Sequence, residues 1–183
     1  MVLMYVLLGL AVVIYFMYVS LIKKKNNLKE SLAGIEVQLK KRLDLIPNLL
    51  KAASKYMEHE KNIFDEVAKV RENALKASNY NEKFMAENRL SDLMHTFYAR
   101  AEAYPELKSD KAVVTAQEGM IDVEEHIAAA RRFYNSAVKE YKNALEIFPS
   151  SLIAMMMGLK DEYPFFEAEE KAKEAINVDE YLK

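Results

Sequence analysis

The sequence predicts an all-α fold: an N-terminal transmembrane helix followed by an antiparallel three- or four-helix bundle with a long amphipathic stem helix. Three observations predict it. The first 22 residues carry no charged side chain. Glycine and proline number four each, while Ala, Leu, Lys and Glu abound, so intrinsic preference runs to helix and the turn chemistry of a β fold is missing. After position 28 the apolar residues recur mainly in steps of three and four, the spacing of one helix face.

Residues 1–22 form the first element, a transmembrane anchor. At about 1.5 Å per residue the segment spans roughly 33 Å, close to the hydrocarbon core of a bilayer. A cleaved signal peptide is the rival. The segment lacks a basic start, its apolar run is too long, and no small-x-small cleavage site precedes the polar chain. Tyr15 and Tyr18 fall near the headgroup level, and Lys23, Lys24 and Lys25 follow at once, with Lys29 a turn further on. The positive-inside rule then puts the N-terminus outside a single-pass cell-membrane protein and residues 23–183 in the cytoplasm as a helical bundle.

The stem follows, with Leu28, Leu32, Ile35, Leu39, Leu43, Ile46, Leu50, Ala53, Met57, Phe64, Val67 and Ala74 on one stripe. Pro47 removes a backbone donor and disfavours α geometry at Ile46, so a kink or a break is expected there. Asp44 and Asn48 beside it are candidates to bond the backbone groups that a kink frees. Around Ser78–Asn81 a turn is expected, with Asn79 and Glu82 spaced as a capping box. The next helix presents Phe84, Leu90, Leu93, Phe97 and Ala101 and ends at Tyr104-Pro105, leaving Pro105 to Asp110 as a connection.

Ser109 or Asp110 then caps a helix to about Phe148. Val113, Met120, Ile127, Tyr134, Tyr141 and Phe148 recur at sevens on it, with Val138 and Leu145 between. Glu124 and Arg131 share that seam, where a polar residue costs stability but can fix register, or else lie at its edge with heads in water. Pro149 stops the helix, and a further helical stretch is expected around Phe166 to Ile176.

Charge is uneven although the formal net is −2. Residues 23–78 carry thirteen Lys and Arg against eight Asp and Glu, whereas residues 161–183 carry three against eight. A solvated helix face with an acidic terminus is the plain explanation, and docking of tail on stem the sharper one. The near-neutral balance and the lack of a basic, aromatic-interleaved helix argue against nucleic acid. There is no cysteine, so disulfides and thiolate chemistry are excluded.

Candidate chemistry is sparse. His59-Glu60 has no histidine four residues after the first, as a zincin helix needs, and Asp92-x-x-His95 stands without the mate of a di-iron bundle; His126 adds nothing to either. No phosphate loop or Ser-His-Asp arrangement is present, so neither a cofactor nor an enzymatic activity is expected. Arg131 and Arg132 are read as partners for Asp44 in setting helix register, with acidic lipid as the other option. Met155, Met156 and Met157 with Phe165 and Phe166 form an apolar cluster that either caps the core or offers a partner groove or shallow membrane contact.

Several phrases together resemble the LemA family. Val37-Gln38-Leu39-Lys40-Lys41-Arg42-Leu43-Asp44-Leu45-Ile46-Pro47-Asn48-Leu49-Leu50, then Tyr56, His59 and Glu60, are similar to its N-terminal signature. Ala103-Tyr104-Pro105-Glu106-Leu107-Lys108 and Ile127-Ala128-Ala129-Ala130-Arg131-Arg132-Phe133-Tyr134-Asn135 are similar to its central motifs, and Phe148-Pro149-Ser150 with Pro164-Phe165-Phe166 to its closing ones. The asparagine-rich turn at 79–81 and Asp161 to Tyr163 depart from the usual pattern. The resemblance implies one N-terminal span, a cytoplasmic antiparallel bundle and no established enzymatic activity. It also implies a place in envelope homeostasis, often beside membrane metalloproteases of the HtpX type, with a magnetosome-associated branch.

Two functions follow as expectations. One is a membrane-tethered scaffold for partner proteins or for further copies of the chain in a homo-oligomer. The alternative is membrane remodelling, with Lys23, Lys24, Lys25 and Lys29 contacting anionic lipid of the bilayer directly.

Overall fold

A computed structural model describes residues 1–167, and within them every regular element is helical. The elements are α1 (Val2–Ala53), a 3₁₀ turn (Glu58–Glu60), α2 (Lys61–Lys76), α3 (Tyr80–Ala101), α4 (Pro105–Ser109), α5 (Lys111–Glu146) and α6 (Ser150–Met156). The chain divides into two compact units. One holds residues 1–44 and 118–165, the other residues 45–117 with Phe166 and Glu167.

In the first unit the opening part of α1 and the closing part of α5 run antiparallel. Two ion pairs record the register: Lys24 Nζ with Glu140 Oε2 at 3.1 Å and Arg42 Nη1 with Glu124 Oε1 at 2.8 Å, so that as α1 advances α5 retreats. The seam of α1 is a strict heptad. Leu21, Leu28, Ile35 and Arg42 are buried at intervals of seven, and Leu32 and Leu39 form the companion row. On α5, Met120, Ile127, Tyr134 and Tyr141 are buried at the same interval, with Val138 between. Phe148 drops out of the expected repeat, because α5 ends at Glu146 and its ring is exposed.

After α6 the chain returns along α5 as a strap. Tyr141 Oη donates to the Lys160 carbonyl (3.4 Å), Lys142 pairs with Asp161 (2.7 Å), and Tyr134 Oη donates to the Pro164 carbonyl (2.7 Å). The tyrosines thus serve the seam with their rings and satisfy the strap's backbone with their hydroxyls. Burial raises the Tyr141 pKa above the ordinary tyrosine value, with Tyr163, Glu162 and Asp161 adding to the effect.

In the second unit α2 and α3 form an antiparallel pair. Phe64 meets Phe97 edge to face at 5.9 Å, Arg89 bonds Glu66 at 2.6 Å, and Arg100 bonds Glu60. Asn79 caps α3, its side chain accepting from the Glu82 amide at 2.9 Å. The Glu82 carboxylate accepts from the amide and hydroxyl of Ser78, one residue before the N-cap amide that a standard capping box uses. Asp110 rather than Ser109 caps α5: its Oδ1 accepts from the amides of Ala112 (2.7 Å) and Val113 (3.2 Å), and its Oδ2 from the Tyr56 hydroxyl (2.7 Å). Pro105 to Ser109, expected as a connection, forms a helical turn with the proline at its start, where the missing N–H costs nothing.

The stem breaks at a different place from the one its sequence suggests. Helical backbone continues through Pro47, which lies on the exposed face, and ends at Ala53. A proline ring on the solvent side removes one donor from a long helix without disturbing the buried seam of Ile46, Leu49 and Ala53. The helical stretch expected around Phe166 to Ile176 lies, beyond Glu167, outside the described residues.

Candidate functional site

Residues 2–22 belong to α1, and among the described residues α1 is the one helix long and apolar enough to cross a membrane. Its most apolar window is wholly uncovered by the rest of the chain. An exposed apolar surface of that size is not what a soluble monomer maintains. No helix break separates it from the charged stem, since α1 runs on past Lys23, Lys24, Lys25 and Lys29. Lys23 and Lys29 are exposed, Lys25 is half-buried, and Lys24 is held by Glu140.

Of the residues assigned to kink and register, Asp44 is exposed and takes both Lys40 Nζ contacts, at 2.9 and 3.2 Å, within its own helix. Asn48 is exposed beside Pro47, Arg132 is exposed, and Arg131 is half-buried on α5. A buried inter-helix ion pair is made by Arg42, 0% exposed, with Glu124, whose side chain is 39% exposed. Glu124 carried a sequence signal through its place on the α5 seam. Arg42 carried one too, being seven residues from both Ile35 and Leu49.

The apolar cluster separates into core and surface. Phe166 is a correction: it is wholly buried and stacks on Phe84 at 4.2 Å, so it is not available to a partner. Met157 is half-buried against the cluster of Leu21, Ala144 and Ala154. Met155, Met156 and Phe165 remain exposed, together with Ile147, Phe148 and Leu152. Phe165 lies under the Lys142 ammonium, 5.2 Å from its ring centre.

Acid–base groups with displaced pKa values hold structure. The Asp110 carboxyl is lowered by the Tyr56 hydroxyl and the amides of Val113 and Ala112, and Tyr56 is raised by the same hydrogen bond. Glu82 is lowered by Ser78, its helix-start partner, first through the amide and then through the hydroxyl. His59, His95 and His126 are all exposed, and no three His, Asp or Glu side chains converge as a metal site among the described residues.

No curated protein matches the chain. The model of the LemA family matches residues 31–179, most of the length, with the buried Arg42, the Glu124 and tyrosine seam and the strap all inside the match. The chain belongs to the LemA family.

Proposed function

We propose that this chain is a membrane-anchored, non-enzymatic scaffold. Residues 2–22 cross the bilayer once with the N-terminus outside, and the remainder stands as a helical bundle on the cytoplasmic side. It holds partner proteins, or further copies of itself, close to the membrane. The observation that supports this best is the continuity of α1: an uncovered apolar segment passes without a break into an ordered amphipathic stem. Whatever the stem binds is thereby held at a set distance from the bilayer. Envelope homeostasis, with an HtpX-type membrane protease among the partners, is the setting that the family resemblance suggests.

Direct remodelling of anionic lipid through the lysine collar has less support, because Lys24 is already committed to Glu140 and only Lys23 and Lys29 of the four stand exposed. Crosslinking in intact cells, followed by mass analysis, tests the scaffold reading. It is expected to recover a second copy or a membrane-protein partner. A chain that stays monomeric and captures nothing defeats it, and salt-sensitive binding of residues 23–183 to anionic vesicles would favour remodelling instead.

A further inference from the structure

We propose that the corner joining α5 to α6 is a second point of membrane contact, an apolar foot seated at the headgroup level beside the span. The inference rests on the reading that residues 2–22 cross a bilayer. Residues 147–159 read IFPSSLIAMMMGL, thirteen positions without a charged side chain in a chain that is 30% charged. At that density about four charges are expected in such a stretch. Glu146 and Lys160 bound it.

The corner's inner side is accounted for. Ala154, Ile153 and Met157 pack with Ala144 on Leu21, the penultimate residue of the uncharged segment. Its outer side is not: Phe148 is 74% exposed and Met156 88%, with Ile147, Leu152 and Met155 beside them. These side chains are more exposed than a core cap requires.

Depth identifies the occupant. An open cleft of about 300 Å³ is lined by Met17, Ser20 and Leu21 on α1, by Asn143 and Ala144 on α5 and by Ile147 just past its end. Ile147 therefore lies level with the last turns of the span. From the Lys24–Glu140 pair the chain turns apolar in the same direction on both sides, along α1 before Lys23 and, on the other side, past Glu146 where α5 ends. Seven residues separate Lys24 from Met17 on α1, about 10 Å of rise, and six separate Glu140 from the end of α5 at Glu146, about 9 Å, with Ile147 next in the chain. If Met17 and Tyr18 sit in the interface, so does the corner, and what covers it there is lipid. Short apolar segments bury by about 5–10 Å into that zone, and methionine adapts to its irregular surface.

The absence of native cysteine allows a direct test. Full-length variants Leu8→Cys, Met156→Cys and Phe133→Cys are labelled with one fluorophore and reconstituted into neutral phosphatidylcholine vesicles carrying a nitroxide either near the headgroup or deep in the acyl chain. Leu8 tests the span. Phe133, exposed on α5 and roughly 16 Å along the register from the Leu21 level, reports the aqueous background. The foot predicts that the label at Met156 loses fluorescence to the shallow nitroxide, that the one at Leu8 loses it to the deep nitroxide, and that the one at Phe133 loses it to neither. Quenching at Leu8 with none at Met156 overturns the foot alone, and shielding of Met156 from both lipid and aqueous quenchers assigns the corner to a second copy or partner. No quenching at Leu8 overturns the span and the foot together.

Discussion

The Arg42–Glu124 pair makes an asymmetric prediction. Arg42 is wholly buried and cannot shed its charge, while Glu124 keeps 39% of its side chain in contact with solvent. Glu124→Ala leaves the guanidinium in the core without that carboxylate. Removing one partner of a fully buried pair costs about 3–5 kcal/mol, and the part-exposure of Glu124 reduces this to about 2–3 kcal/mol. At roughly 2–4 °C per kcal/mol for a chain of this size, Tm falls by roughly 4–12 °C. Arg42→Met does the reverse: the carboxylate returns to water and a methionine fills the seam, for a net change within about 1 kcal/mol. The double variant Arg42→Met with Glu124→Leu stays near the parent. Thermal unfolding of the full chain in nanodiscs, followed by circular dichroism, reads all three. If Arg42→Met costs as much as Glu124→Ala, or if Glu124→Ala is neutral, the burial argument is wrong.

Three further predictions concern stability. Tyr134→Phe removes the hydroxyl that donates to the Pro164 carbonyl, so about 1 kcal/mol is lost and amide exchange should quicken through residues 160–165 while the α2–α3 pair is unaffected. Arg131→Met, at a half-buried site, should lower Tm measurably, whereas Arg132→Met, on the exposed face, should not; equal effects would separate stability from burial along α5. Because Asp110 and Glu82 have pKa values below the ordinary 3.8 and 4.5, their contribution is complete above those values and is lost as pH falls through the lowered ones. A Tm profile from pH 7 to pH 3 should therefore drop at its acid end and flatten in Asp110→Asn, and superimposable profiles would contradict this.

Much of the architecture was legible because it depends on local chemistry and periodicity. The uncharged start, the Asn79 cap and the α5 repeat of Met120, Ile127, Tyr134 and Tyr141 all lie where pattern and propensity place them. The α1 seam was legible only in part. Choosing apolar residues by eye favours Leu50 and Phe64, whereas the structure buries Leu49 and Ile63, and at the seam position between Ile35 and Leu49 stands an arginine. A hydrophobic count passes over such a residue, although its place in the sevens marks it. Pro105 looks like a stop in the sequence yet begins a turn of helix, since proline suits the first helical position as well as the one after the last. The tyrosine hydroxyls were hidden for another reason. Their partners are backbone carbonyls of a strap, and the Tyr56–Asp110 bond joins residues 54 apart, so neither has a spacing to read.

Membrane attachment through the first helix is the claim on which the proposed function stands, and alkaline carbonate washing of membranes tests it most directly. The full chain should stay in the bilayer fraction at high pH, while residues 23–183 expressed alone should be released. Release of the full chain, or retention of the fragment as an integral protein, would contradict the account.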